Sequence, residues 1–192
     1  MQLHYTFPTG IMTDTNLELA SQILPFTKKV LKDPQYSDNA ALGYNSTYAK
    51  ADNLSKLEEF QPVIDYFAAC GERFINELGY KFRFNRERIF LVASSMREGD
   101  YHERHPHPMS MISGVFYLQA PEGSSPIRIH DPREFQKILQ FSITEPKPTN
   151  LRTIEFEAKA GELILFESWL EHSVPKNKSK KDRIALVFNY ST

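Results

Sequence analysis

One cysteine, Cys70, stands in 192 residues, so the chain carries no disulfide framework and no thiolate zinc site. Charge of one sign is equally scarce in excess. Lys and Arg total 23 against 24 for Asp and Glu, a formal net charge of -1. A dedicated nucleic-acid surface normally shows a marked basic surplus, and this balance argues against one. The basic run from Lys176 to Lys181 is a local feature. No apolar stretch approaches membrane-spanning length, and the first residues lack a basic segment followed by an apolar run. A reduced, cytoplasmic setting is therefore expected. Internal repeats and low-complexity segments are also missing, and 22.2 kDa with 41% hydrophobic residues fits one domain with a substantial core.

What is present begins with a short alternation, Leu3, Tyr5 and Phe7, which predicts a strand before the turn residues Pro8 and Gly10. Thr15-Asn16-Leu17-Glu18 matches a capping box, and Leu17, Ala20, Ile23 and Leu24 follow at helical spacing. Pro25 is expected to bend that helix, with Lys28, Lys29 and Lys32 near its carboxyl end. Residues 33–52 read as loop. A second helical region is expected from Ser55, with Pro62 opening a segment whose apolar face is Val63, Phe67, Cys70, Phe74, Ile75 and Leu78, ending at Gly79.

From Tyr80 the texture becomes β. Tyr80, Phe82 and Phe84 alternate, Ile89 to Val92 form an apolar run, and strand-like runs follow at 113–120, 126–130, 153–158, 162–166 and 183–190. The expected architecture is mainly β: two packed sheets or a barrel, with helices from the amino-terminal third covering one face. One domain over 1–192 is expected, with 1–79 as helical support and 80–192 as the core.

The chemistry concentrates in His102-Glu-Arg-His105-Pro-His107-Pro108. In an extended segment His105 and His107 leave the backbone on one side and can address one atom, and imidazole pairs of this kind suit a metal. His172, after the apolar strand ending at Phe166, is the candidate third ligand. Arg183 opens the apolar strand Arg183-Ile-Ala-Leu-Val-Phe-Asn-Tyr190, where an inward arginine needs an anion. A cation beside an anion clamp suits a metal-chelating dicarboxylate.

These residues resemble the iron(II)- and 2-oxoglutarate-dependent oxygenases, most closely a small branch found in bacteria and phages. The similar text is His105-Pro-His107-Pro, Ser113-Gly-Val-Phe-Tyr-Leu118, Ile129-His-Asp-Pro-Arg133, Phe166-x-x-Trp-Leu-x-His172-x-Val-Pro175 and Arg183 to Asn189. The resemblance implies a double-stranded β-helix, a cupin-like jelly roll with helices packed on one sheet. It implies iron(II) as metal, 2-oxoglutarate as co-substrate and ascorbate as an optional reductant. It also implies a hydroxylase of a peptide or small molecule that releases succinate and carbon dioxide.

In the wider superfamily the first two ligands are His-x-Asp or His-x-Glu, whereas this chain has His107 in the second position. Three assignments follow: His105, His107 and His172 as a three-histidine site; Asp131 supplying a carboxylate in place of His107; or Asp131 orienting an imidazole from behind. The first is the expected one. His102 and His130 match no ligand position and are read as supporting or structural. Arg183 is the expected anchor of the distal carboxylate, assisted by the hydroxyl of Tyr117, with Ser113 behind it and Asn189 as a further hydrogen-bonding group. Trp169 and Phe188 are read as core, and 33–52 and 133–150 as candidate lids. The competing reading is a jelly roll that holds a metal or ligand without turnover, or a three-histidine enzyme that does not use 2-oxoglutarate.

Overall fold

The computed structural model describes residues 1–38, 42–50, 54–81, 83–133 and 142–191. Ten strands and two α-helices are described: β1 (Ile11–Thr15), α1 (Leu17–Val30), β2 (Asn45–Ser46), α2 (Gln61–Glu77), β3 (Ile89–Met96), β4 (His102–His105), β5 (Ile112–Gln119), β6 (Ile127–His130), β7 (Thr153–Phe156), β8 (Glu162–Glu167), β9 (His172–Val174) and β10 (Arg183–Tyr190). They form a six-stranded sheet, in the order β1-β8-β5-β10-β3-β2, and a four-stranded sheet, in the order β4-β9-β6-β7. All pairs are antiparallel, so the expected jelly roll with helices on one sheet is the fold observed.

Alternation along the central strands separates two cores. Phe116 and Leu118 on β5, Leu163 and Leu165 on β8, and Leu186 and Phe188 on β10 face α1 and α2, joining Ala20, Ile23, Val63 and Phe67. Phe67 stacks on Phe188 with ring centroids 4.3 Å apart. The intervening residues, Val115, Tyr117, Ile164, Phe166 and Ala185, form a second core between the sheets with Ile127 and Ile129 of β6. Arg183 and Asn189 share the register of Ala185, so both belong to this inner face. Because the central strands of the larger sheet, β8, β5, β10 and β3, are buried on both sides, they read as apolar runs and not as clean alternations.

Several local expectations are corrected. Leu3, Tyr5 and Phe7 form no strand and are exposed; the edge strand is β1, which gains its register from β8. Thr15 is the last residue of β1, and Asn16 is the cap of α1, its Oδ1 accepting from Leu19 N at 3.0 Å. Leu17 is consequently exposed. Residues 54–60 form two short 3-10 turns, and α2 starts only at Gln61, with Pro62 in its first turn, where the missing N–H costs nothing. The expected β texture at 80–84 is not a strand at the described positions, and Phe82 lies outside them. Phe84 instead stacks on Tyr190 at 4.0 Å. Within 33–52, Asn45–Ser46 pairs with β3, while 39–41 and 51–52 lie outside the described residues, as do 134–141 of the other candidate lid.

Candidate active site

His105 ends β4, and its ladder partner is His172, the first residue of β9. His107 therefore lies past the strand and not on it, contrary to the extended pair expected. It is carried round by the Pro106 and Pro108 turn and pinned by its own N–H, which donates to Ser168 O at 2.9 Å. The convergence nevertheless occurs. One ligand atom from each of His105, His107 and His172 lies within 4.8 Å of the others, and among the described residues no other group of His, Cys, Asp or Glu does this.

Their protons are already placed by backbone. His105 Nδ1 faces Glu103 O at 2.7 Å and His172 Nδ1 faces Leu170 O at 3.1 Å, so each Nδ1 carries the hydrogen and donates it. Both Nε2 lone pairs are left for the cluster, the arrangement that orients imidazoles for a metal. His107 Nε2 lies 3.2 Å from His172 Nε2. Burial disfavours the charged form at every member. It pushes His172 down to about 3 and His107 to about 4, the other histidines adding repulsion, and it lowers His105 against the opposing pull of its Glu103 hydrogen bond. Three neutral imidazoles, His172 buried and His105 and His107 half-buried, with lone pairs converging fit a divalent cation.

Asp131 follows β6 and is taken up elsewhere. Its Oδ1 accepts from Arg133 N at 3.0 Å and Nε at 2.9 Å, and Oδ2 from Nη2 at 2.7 Å. It stands outside the histidine group. His130 Nε2 bonds Ser173 Oγ at 2.9 Å. His102 bonds the Tyr44 hydroxyl through Nδ1 at 3.1 Å, and its ring lies 4.0 Å from that of His105.

Arg183 is 2% exposed at the start of β10. Its Nε donates to Ser125 O at 3.0 Å, Nη1 approaches Met96 Sδ at 3.7 Å, and its Cζ lies 4.7 Å from the centre of the Tyr117 ring. Among the described residues no carboxylate pairs with it. Beside it the hydroxyls of Tyr117 and Ser125 are buried without a hydrogen-bond partner. A buried guanidinium with no carboxylate partner among the described residues, beside the hydroxyls of Tyr117 and Ser125, offers donors that fit an anion. A carboxylate suits that donor set.

The other two expected co-substrate residues are engaged with one another. Ser113 Oγ lies 2.7 Å from both Ser168 Oγ and Asn189 Oδ1. Asn189 pairs with Ser113 across the β10–β5 ladder, at the opposite end of β10 from Arg183, and Ser168 O holds His107. This trio belongs to the histidine end of the inner face. Trp169, expected in the core, is 51% exposed in the turn leading to His172, whereas Phe188 is core as expected. Ser125, Ser168 and Tyr44 escaped sequence reasoning because serine and tyrosine outside any motif carry no pattern.

A family model described as "Putative 2OG-Fe(II) oxygenase" matches residues 92–189, the span holding all three histidines and Arg183. The chain belongs to this family. As a 2-oxoglutarate and iron(II) oxygenase it shares its fold with several solved structures. A prolyl-4-hydroxylase from Pseudomonas putida superposes with a TM-score of 0.68 at 13% identity, covering 95% of this chain and 92% of that one. The non-heme alpha ketoglutarate dependent epimerase SnoN of nogalamycin biosynthesis gives 0.66 at 11% identity, covering 95% and 76%. A Trichoplax adhaerens prolyl hydroxylase, solved with a hypoxia inducible factor peptide, gives 0.63 at 13% identity, covering 95% and 84%. No curated protein matches the chain. No helix among the described residues is long and apolar enough to cross a membrane.

Proposed function

We propose that this oxygenase hydroxylates a peptide or small-molecule substrate, holding iron(II) on His105, His107 and His172 and the distal carboxylate of 2-oxoglutarate on Arg183. The observation that carries the reading is the pairing of two features on the inner face: converging lone pairs among the histidines, and a buried arginine that has no carboxylate partner among the described residues. A dicarboxylate that chelates a metal at one end and meets a guanidinium at the other satisfies both.

The metal supplies dioxygen activation coupled to oxidative decarboxylation of 2-oxoglutarate, which yields succinate and carbon dioxide. The protein's own residues do the rest. Backbone carbonyls of Glu103 and Leu170 hold the imidazole tautomers, Arg183 and Tyr117 orient the co-substrate, and the apolar residues Val115, Ile129 and Phe166 keep water from the inner face. Three neutral imidazoles leave the site one negative charge poorer than a site with a carboxylate, so the co-substrate's own charge has greater weight in balancing the cation. At the histidine end, Trp169 and the 93% exposed Met109 stand open to solvent and offer an apolar rim to a substrate. The amino-terminal 1–79 acts as support for the catalytic core within one domain.

The test is purified protein with iron(II), ascorbate and 2-oxoglutarate under air, with succinate measured. Succinate production that disappears in His172→Ala and Arg183→Met is the expected result. Absence of 2-oxoglutarate binding to the metal-loaded protein would overturn the reading in favour of a three-histidine protein that does not use it.

A further inference from the structure

Between Arg183 and the three histidines stands a hydrogen-bonded pair, Tyr44 and His102, that is not part of the converging histidine group, and Tyr44 also lies outside the family match. Tyr44 immediately precedes β2, outside residues 92–189. It is buried against Met96 and Val174. Met96 is the ladder partner of Arg183 on the larger sheet, and Val174 is the ladder partner of His102 on the smaller one. Tyr44 thus closes the gap between the two sheets, with Arg183 beyond one neighbour and the histidines beyond the other.

Its hydroxyl is 3.1 Å from His102 Nδ1, its ring stands edge-on to His102 at 5.3 Å, and His102 in turn lies against His105. The Arg183 charge is felt at this phenol: burial raises its pKa, and the guanidinium pulls in the opposite direction. A phenol can donate once and accept twice, and here it has one partner among the described residues. With the hydrogen on His102 Nδ1, the imidazole donates to Tyr44 Oη. The Tyr44 O–H is then free to donate to something else on the inner face.

We propose that Tyr44 is a positioning residue for the dicarboxylate co-substrate: held by His102, it donates its hydroxyl hydrogen to a carboxylate oxygen of the ligand lying between Arg183 and the metal. This rests on the function proposed above and adds a wall to the same pocket from the amino-terminal region. His102 then serves two purposes, lying against a metal-binding imidazole and aiming the phenol.

The test is titration of Mn(II)-loaded protein with 2-oxoglutarate by calorimetry, Mn(II) standing in for iron so that no turnover intervenes. Loss of a hydrogen bond to a charged group weakens binding by about ten-fold or more, so Tyr44→Phe is expected to raise the 2-oxoglutarate Kd by about that factor while Mn(II) stoichiometry stays the same. In the succinate assay the same variant is expected to raise KM for 2-oxoglutarate with kcat little changed, the pattern of lost uniform binding. Wild-type Kd in Tyr44→Phe, alongside Arg183→Met that no longer binds, would overturn the role of Tyr44 and leave the oxygenase reading intact. Failure of the wild-type protein to bind 2-oxoglutarate would overturn both. Should Tyr44→Phe not fold, His102→Gln decides: weakened 2-oxoglutarate binding with Mn(II) retained supports the pair, and unaltered binding overturns it.

Discussion

The Nε2 atoms of His107 and His172 lie 3.2 Å apart, while the far nitrogen of His172 is engaged by Leu170 O. Two ring edges held this close, with one lone pair committed inward, form a site whose most favourable occupant is a cation. Loading with Fe(II) or Mn(II) should therefore stabilise the fold by mass action, by about 2.7 kcal/mol when free metal is 100 times Kd. A thermal melt with and without metal checks it, and an unmoved midpoint in saturating metal would count against the site.

Ligand identity separates by substitution. His107→Ala is expected to lose stoichiometric metal, because it removes one of three donors. Asp131→Ala is expected to keep it, because the Asp131 carboxylate is occupied by Arg133. Metal content by elemental analysis decides, and the reverse result would give the carboxylate the ligand role.

The metal-free protein should be acid-sensitive in a defined window. Burial lowers His102 and His107 to about 4 and His172 to about 3, whereas an unfolded histidine titrates near 6.5. Below about 6.5 the unfolded chain takes up protons that the fold refuses, so stability falls as pH drops from about 6.5 towards 4 and is level above that range. Denaturant midpoints of the chelated protein at several pH values would show the slope, which should flatten in His172→Ala. A pH-independent midpoint would contradict it.

Trp169 is the only tryptophan, half exposed and three residues from His172. Its emission should be quenched by a paramagnetic ion such as Co(II), saturating at one equivalent, and His107→Ala should abolish the change. Emission indifferent to metal would mean that the ion binds elsewhere.

Gly114 gives a structural control. A Cβ there would come within 2.3 Å of Phe188 Cε1 and 2.6 Å of Leu165 Cδ2. Gly114→Ala is expected to cost about 1–3 kcal/mol of stability through overpacking of the core beneath the helices, measurable by urea denaturation. An unchanged midpoint would show that the Phe188 ring moves aside freely.

Much of the site was legible because its residues fall in short segments where type and spacing constrain one another. His105 and His107 stand out by their two-residue spacing between prolines, and His172 and Arg183 by the apolar strands Glu162–Glu167 and Arg183–Tyr190 beside them. What was not legible depended on partners distant in sequence. Trp169 reads as core by its hydrophobicity, yet the turn between β8 and β9 holds it outside. Leu3, Tyr5 and Phe7 alternate as a strand should, but a strand needs a neighbour, and β8 takes Ile11–Thr15 instead. Asn16 displaced Thr15 as the cap because Thr15 was already committed to pairing with Glu162.

The amino-acid sequence alone determined the mainly β architecture with helical support, the three histidines and the inward arginine, since periodicity and residue chemistry are local properties. Only the tertiary structure decided that His107 meets His105 and His172 through a turn braced by Ser168, that Asp131 is engaged by Arg133, and that Tyr44 and His102 meet across the gap between the sheets. Those contacts join residues 2 to 61 positions apart, and a hydrogen bond is satisfied by whichever group the fold brings within about 3 Å.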